Sequence, residues 1–292
     1  MTAGGRETTV GGVATPDEPL RHELALSSPE LRGLCAAAGV PPPLLVPATG
    51  PVTTMASPEG DELELLRVLG EPVVTVVAHR QDAGGSEVAV TCGSMAAGGL
   101  HRPRPGDVHL LTSIDPSDVL SAAVHWSGLS ERPLAVAPEF ELVAADLEAA
   151  SRHADELDQR RMIGALRAGG AAGAAEVFGT ALLNRRGAGS LTLLHRPPSG
   201  GLAGVTLGWM DAGEHGLWRM TGPNLGMGAD ASNLTSRDRY GVRLHIAPVT
   251  AAALMAEIAA GWPPALDPPV IPVAPPGSDA GPSGQRRAPG RP

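Results

Sequence analysis

The chain has 292 residues, and its 22 basic residues, all arginine, against 31 acidic ones give a formal net charge of −9 at pH 7. Because lysine is absent, the sequence excludes a P-loop or protein-kinase lysine and any Schiff-base or pyridoxal-phosphate lysine. Its acidic balance argues against a nucleic-acid-binding protein, since such domains usually present a basic face to the phosphates.

The two ends of the chain lack the patterns of packed structure. Residues 1–19 are rich in Gly, Thr and Pro and contain no apolar segment typical of a secretory signal peptide. Residues 263–292 are rich in proline without a periodic apolar pattern. No run of apolar residues is long enough to cross a bilayer. We therefore expect disordered tails at 1–19 and 263–292, a single domain at 20–262, a cytoplasmic location and no membrane insertion.

The first half of this domain, 20–137, alternates strand and helix patterns. Helix starts are marked by Ser28-Pro29-Glu30 and by Ser57-Pro58-Glu59. The order expected is strand 22–26, helix 28–39, helix 57–70, strand 73–80, strand 87–92, strand 107–114 and helix 115–126. Between the second and third strands, the glycine-containing segment Gln81–Ser86 predicts a hairpin loop.

The middle of the chain, 138–186, predicts helices. Apolar residues recur there at helical spacing, as in the set Phe140, Val143, Leu147 and Ala150. The second half, 187–262, returns to alternating strand patterns and ends in a helix at 250–260. Strands of period two with segregated helices favour an α+β fold with a mostly antiparallel sheet.

A weak internal repeat supports two pseudo-equivalent halves. Residues 107–126, DVHLLTSIDPSDVLSAAVHW, are similar to residues 241–262, GVRLHIAPVTAAALMAEIAAGW. Each segment has an alternating strand, a turn that contains proline, an apolar helix and a tryptophan. The sequence thus predicts a quasi-two-fold arrangement of 20–137 and 187–262 around the helical middle segment.

The titratable residues do not form a recognisable catalytic or metal-binding motif. His109 and His245 occupy matching places in the two repeat strands and are expected on the polar outer face, with a ligand or base pair as the alternative. His79, His101 and His109 could converge on a metal, but their spacing gives no reason to expect it. Two cysteines, Cys35 and Cys92, match buried small hydrophobes. We expect no catalytic residue, no metal and no cofactor.

The strongest local signature is Trp209–Trp218, WMDAGEHGLW. A strand that ends in tryptophan is followed by an Asp-containing turn and a strand that opens with a second tryptophan. This pattern predicts a β-hairpin with two core aromatic residues across the sheet.

Four stretches together resemble the EspG family of ESX (type VII) secretion-associated proteins from actinobacteria. They are LALSSPELRGLCAAAGVPPPLLVP at 24–47, ELELLRVLGEPVVTVVAH at 62–79, LGWMDAGEHGLW at 207–218 and GVRLHIAPVTAAALMAEIAAGW at 241–262. They occur in the family's order and span roughly 20–262. The short link between Pro47 and Glu59 and the Pro-rich tail depart from the family pattern.

The resemblance implies a non-enzymatic cytosolic chaperone with a quasi-two-fold α+β fold. Such proteins bind the helical tip of a PPE-type protein, within a PE–PPE heterodimer, and keep it soluble for export. The loop between the second and third strands takes part in partner recognition in this family. The resemblance therefore places partner contacts at Arg80, Gln81, Asp82 and Ser86.

Two other classes of function stay open from the residues alone. One is a small-molecule sensor or an enzyme with a cleft between the two halves, which would need convergent polar residues in a deep pocket. The other is a homo-oligomeric structural protein, and a homodimer is compatible with the chaperone interpretation as well.

Overall fold

A computed structural model describes residues 23–196, 200–222, 242–264 and 266, and ten strands in these ranges form one antiparallel sheet. The strands are β1 Glu23–Ser27, β2 Val74–Asp82, β3 Gly85–Gly93, β4 Gly98–Arg104, β5 Val108–Ile114, β6 Phe140–Val143, β7 Gly187–His195, β8 Ala203–Asp211, β9 Leu217–Thr221 and β10 Arg243–Val249. The α+β fold with a mostly antiparallel sheet is confirmed.

Seven α-helices accompany the sheet in the described ranges. They are α1 Ser28–Ala38, α2 Gly60–Gly70, α3 Val119–Ser127, α4 Ala144–Asp155, α5 Gln159–Gly169, α6 Ala175–Leu183 and α7 Ala251–Ala260. No helix in the described part of the chain is long and apolar enough to cross a membrane.

The strand order shows the quasi-two-fold arrangement directly. Across the sheet it is β1-β5-β4-β3-β2-β7-β8-β9-β10-β6, so β1 to β5 and β6 to β10 stand in mirrored order around the β2–β7 pair. At the middle of that pair, Ala78 lies opposite Leu191. The last strand of each half leads into a helix, β5 into α3 and β10 into α7, as the internal repeat predicted.

Helix α1 begins and ends as its sequence predicts. The backbone N–H of Ser27 donates to the Glu30 carboxylate at 2.8 Å, which completes a capping box at the helix start. Gly39 ends the helix in the left-handed region, at φ 70°, where a side chain would be unfavourable.

The two faces of the sheet are covered differently. We call the side that carries α3 and α7 the covered face, because one continuous core there joins both halves. On the other side, which we call the open face, the helices form two separate groups. Helices α1 and α2 pack at one end of the sheet, and α4 to α6 pack at the other.

The two tryptophans of the β8–β9 hairpin belong to different cores. Trp209 is packed on the covered face, whereas Trp218 lies in the core under α4 to α6, and both are at most 2% exposed. Trp218 Nε1–H donates to the carbonyl of His215 at 3.0 Å. The predicted hairpin with two buried tryptophans is therefore confirmed, but the two rings lie on opposite faces of the sheet and do not form a cross-strand pair.

The sequence did not predict strand β4, α2 begins at Gly60 and not at Ser57, and two further boundaries differ from the sequence expectation. Phe140 and Val143 lie in strand β6, because this segment pairs with β10, so the helical stripe begins only in α4. The middle segment thus contributes the first strand of the second half. The packed chain also extends beyond 262, since Pro263 is buried and Leu266 packs against the core of the covered face. Residues 1–19 and 267–292 lie outside the described residues.

Candidate functional site

The helices leave the centre of the open face accessible. On β2 and β7, the side chains that point to the covered face are at most 1% exposed: Val74, Val76, Ala78, Leu191 and Leu193. The alternate residues are half-buried: Val77, His79, Ser190, Thr192 and Leu194. Strand side chains alternate between faces, so this difference marks one covered and one uncovered side of the same strands.

Polar groups on the floor of this face are paired with one another. Thr192 Oγ1 and Thr206 Oγ1 lie 3.0 Å apart on neighbouring strands β7 and β8. His79 Nε2 and Ser86 Oγ lie 2.7 Å apart on β2 and β3. Because these four side chains pair with one another, the floor of the open face is a mildly polar surface.

A groove of about 560 Å³ lies on this face where β2 of the first half meets β7 of the second. It is lined by the β2–β3 turn, by α4 and α6, and by the starts and ends of the central strands: Gln81, Asp82, Ala83, Leu147, Ser151, Leu182, Arg185, Arg186, Gly187, Ala188, Met210 and Met220. Two of the apolar side chains are methionines, which adapt their shape to different partners.

The loop between β2 and β3, which is expected to contact a partner, is shorter than predicted. Strands β2 and β3 pair as far as Asp82 and Gly85, so only Ala83 and Gly84 form the turn. The Asp82 carboxylate accepts the N–H of Gly84 at 2.7 Å and closes the turn. Gly85 has φ 123°, a conformation that glycine adopts without strain. The expectation of a loop over Gln81–Ser86 is therefore wrong in its length.

The four predicted contact residues fall on two sides of this hairpin. Gln81 and Ser86 lie opposite each other on the open face, where Gln81 borders the groove. Arg80 forms an ion pair with Asp82 at 2.7 Å and lies against Gly128 at the end of α3, on the covered side. Asp82 also reaches the groove at the turn. The structure thus brings the four residues to one hairpin tip without bringing them onto one face.

The groove residues from α4, α6, β8 and β9 were not among the residues predicted from the sequence. Leu147, Leu182, Met210 and Met220 match ordinary core positions in the sequence. Only their place at the edge of the second core, beside an uncovered strand pair, makes them available to the groove. No local sequence signal distinguishes such an edge position from a fully enclosed one.

The expectation for His109 is wrong. His109 is 5% exposed and points under α1, on the same side of β5 as Leu111. His245 instead projects on the side of β10 opposite Leu244 and Ile246, and its side chain is 44% exposed. The two histidines are therefore not equivalent, because His109 faces the core under α1, whereas His245 lies on the side of β10 away from the core under α4 to α6. They form no ligand or base pair.

His101 and His109 are neighbours in a buried polar cluster. His101 Nε2 and His109 Nδ1 lie 2.8 Å apart, and His109 Nε2 lies 2.8 Å from Ser28 Oγ. His79 stands apart, in its pair with Ser86 on the open face. Among the described residues, no group of three or more side chains has the arrangement of a metal site.

The serine in this cluster is not arranged as a nucleophile. Ser28 Oγ also contacts the Asp107 carboxylate, and an ionised carboxylate can only accept a hydrogen bond. The Ser28 hydroxyl therefore donates a hydrogen bond to the Asp107 carboxylate, and Ser28 Oγ accepts a hydrogen bond from His109. A catalytic serine requires the opposite direction, with the hydroxyl donating to the imidazole.

Both cysteines are buried, as predicted from their apolar surroundings. Burial raises the pKa of the Cys35 thiol to about 11 and that of the Cys92 thiol to about 12. Because the thiolate is the reactive form, neither side chain is suited to nucleophilic chemistry near neutral pH.

No family model and no curated protein matches this chain in sequence. Among solved structures, the chain is similar to the Mycobacterium tuberculosis type VII secretion system chaperone EspG5 in complex with the PE25-PPE41 dimer. The alignment has 16% sequence identity and a TM-score of 0.49, and it covers 83% of this chain and 97% of that chain.

Proposed function

We propose that this chain is a non-enzymatic cytosolic chaperone of the EspG type. It binds a PPE-type substrate of an ESX type VII secretion system, as a PE–PPE heterodimer, and keeps it soluble for export. The observation that carries the proposal is the uncovered centre of the sheet, which two separate groups of helices flank on the open face. The resemblance of four ordered sequence stretches to the EspG family agrees with it.

The shape of this face suits a protein segment better than a small ligand. An exported protein with an apolar helical tip would aggregate if that tip stayed exposed. The apolar side of the groove, with Leu147, Met210 and Met220, offers contact area for such a tip. The floor offers hydroxyl and imidazole groups that can exchange their present bonds for bonds to the partner.

Charged groups at the edge of the groove would form the rim of the interface, and Arg80 would join them from the covered side only through its pair with Asp82. Arg80 and Asp82 pair with each other at the hairpin tip. Arg185 pairs with Asp155 at 2.5 Å on the opposite side of the groove. Rim charges of this kind set partner choice and association rate more than affinity. Contacts at Arg80, Gln81, Asp82 and Ser86 remain part of the proposal on this basis.

A binding experiment with a matched pair of leucine substitutions tests the proposal. The chain is co-expressed with the PE–PPE pair encoded nearest to it, and complex formation is measured by size-exclusion chromatography with light scattering. Leu147→Glu places a charge in the groove and should weaken binding at least tenfold. Leu157→Glu, at a side chain that is 79% exposed outside the groove, should leave binding unchanged. Equal binding by both variants would contradict the proposal.

The alternative function is a small-molecule sensor or an enzyme with a cleft between the two halves. The position of the groove, at the β2–β7 junction of the halves, is the observation that favours it. Native mass spectrometry of the purified chain distinguishes the two functions. A stoichiometric small molecule that is lost in Leu147→Glu would support the alternative, whereas a free chain that gains mass only with the PE–PPE pair supports the chaperone. The same spectrum measures whether the free chain is a homodimer.

A further inference from the structure

A chain of hydrogen bonds runs from the surface into the core beneath α1. It begins at Asp107, in the β4–β5 turn, and passes through Ser28 at the start of α1 to His109 on β5 and His101 on β4. Asp107 is exposed, whereas Ser28 is 8%, His109 5% and His101 0% exposed. The four side chains therefore join the first helix to two strands.

The donor and the acceptor of each hydrogen bond in this series follow from the carboxylate of Asp107 at its exposed end. The Asp107 carboxylate accepts the hydroxyl proton of Ser28, so Ser28 Oγ accepts from His109 Nε2–H. His109 Nδ1 is then an acceptor, and His101 Nε2–H donates to it. The series ends on His101 Nδ1, which is buried, carries no proton and has no hydrogen-bond partner among the described residues.

A proton added to the histidine pair disrupts this pattern of donors and acceptors. A protonated His109 must donate through Nδ1 to His101 Nε2, which forces a proton onto His101 Nδ1. That nitrogen then becomes a buried donor without an acceptor, beside a buried positive charge, and both carry a free-energy cost.

We propose that the Asp107–Ser28–His109–His101 chain is an acid-sensitive latch that holds the first strand–helix unit, β1 and α1, on the sheet. The latch is closed while both imidazoles are neutral, and it weakens when the pair is protonated. The proposal does not depend on the identity of any partner.

Asp107 is the anchor of the latch on the sheet side. Its carboxylate also accepts the backbone N–H of Ser28 at 3.3 Å, so it binds the first turn of α1 from a turn 79 residues away. Asp107 has φ 59°, an uncommon conformation for a residue other than glycine. The hydrogen bonds from Ser28 lower the pKa of Asp107, so this carboxylate stays ionised while the histidines titrate.

The groups that face the histidine pair favour its neutral form on balance. Burial lowers the pKa of His101 to about 4, and the neighbouring His109 adds to the shift. Burial also lowers the pKa of His109; Asp107 opposes this shift, and Arg32 on α1 reinforces it. The residues directly opposite His109, Leu26 on β1 and Pro103 on β4, carry no charge. Helix α2 contributes the apolar Leu65, Leu66 and Leu69 to this core.

The sign of the effect follows from these directions. A histidine in the unfolded chain titrates near about pH 6.5. Because both folded-state pKa values are lowered, the folded form binds fewer protons than the unfolded form below that pH. The stabilisation is fully present above about pH 6.5 and is lost as the pH falls towards 4.

Hydrogen exchange of the full-length chain at pH 7.5 and pH 5.5 tests the latch, after correction for the intrinsic exchange rate. Peptides from β1 and α1 should lose about tenfold in protection at pH 5.5, the factor expected when one histidine is protonated only in the open form. Peptides from α7 should change much less. Equal changes at α1 and α7, or unchanged protection at α1, would overturn the proposal.

Two variants separate the latch from general acid destabilisation. His109→Gln keeps one donor and one acceptor but does not titrate, so the pH dependence of α1 should be clearly smaller, with only the buried His101 left to titrate. His245→Gln removes an exposed histidine on β10 and should behave as wild type. If His109→Gln does not fold, an NMR titration of the wild type decides the matter. His101 should stay neutral down to pH 5, and a midpoint near 6.5 would contradict the latch.

Discussion

Arg132 and Asp211 form a two-bond ion pair although they lie 79 residues apart in the chain. Arg132 Nε donates to Oδ1 at 3.0 Å and Nη2 to Oδ2 at 2.9 Å, and the two side chains are only 16% and 15% exposed. Asp211 also accepts the N–H of Gly213 at 2.8 Å. One carboxylate thus ties the segment that links the two halves to the β8–β9 turn.

Arg132→Ala should therefore lower the free energy of unfolding by about 2–3 kcal/mol, because it leaves a largely buried carboxylate without its charged donor. Chemical denaturation measures the loss. Arg161→Ala is the matched control, since Arg161 is 72% exposed and pairs with Asp158 at 3.5 Å. The control should cost less than about 0.5 kcal/mol. Equal losses would show that the Arg132 pair contributes no more than a surface contact.

Two helical glycines should respond in opposite directions to substitution by alanine. At Gly33 in α1, an added Cβ would overlap the carbonyl oxygen of Thr53, so Gly33→Ala should cost about 2 kcal/mol or more. At Gly164 in α5, no atom lies within 4 Å of the added Cβ, so Gly164→Ala should stabilise by about 0.5–1 kcal/mol. Thermal unfolding of both variants checks the prediction, and a stable Gly33→Ala protein would show that the 51–55 segment moves freely on α1.

Substitutions at the hairpin tip should affect binding and not folding. The Arg80–Asp82 pair is partly exposed, at 45% and 31%, so Asp82→Ala and Arg80→Glu should each change stability by no more than about 0.5 kcal/mol. Arg80→Glu should weaken binding of the PE–PPE pair more strongly, because it reverses a charge on the proposed rim. Unchanged binding after both substitutions would remove this hairpin from the interface.

The end of the folded domain can be located by two truncations. Pro263 is buried and Leu266 packs on the covered-face core, so a chain that stops at Trp262 should lose about 1–2 kcal/mol of stability. A chain that stops at Leu266 should melt within about 3 °C of the full chain, since the sequence beyond it predicts no packed structure. The same melting temperature for both truncated chains would place the boundary at 262, as first expected from the sequence.

The fold followed from the sequence wherever local patterns decide structure. The repeat of strand, turn and helix predicted β5–α3 and β10–α7, and the Ser-Pro-Glu motif predicted α1. Phe140 was misassigned because a four-residue edge strand next to a helix has too few residues to show a period of two. Its pairing with β10 is a long-range contact that no local pattern contains.

The site was less predictable than the fold. The hairpin tip carries glycines that a sequence pattern can find, but the face to which each residue points depends on register. The buried position of His109 under α1 depends in the same way on register and on a helix 81 residues away. The groove between β2 and β7 arises only when the two halves meet, so its apolar lining looks like any other core in the sequence.

Binding of the PE–PPE pair to two serine variants tests the central claim most directly. Ser190 lies half-buried on the open face of β7, between His79 and Gly208, and Ser190→Arg would place a long charged side chain across its centre. Ser117→Arg makes the same change at an exposed position beside α3, on the covered side. If the open face binds the partner, Ser190→Arg abolishes the complex in light scattering while Ser117→Arg and the wild type retain it. A full-strength complex with a folded Ser190→Arg protein would contradict the account.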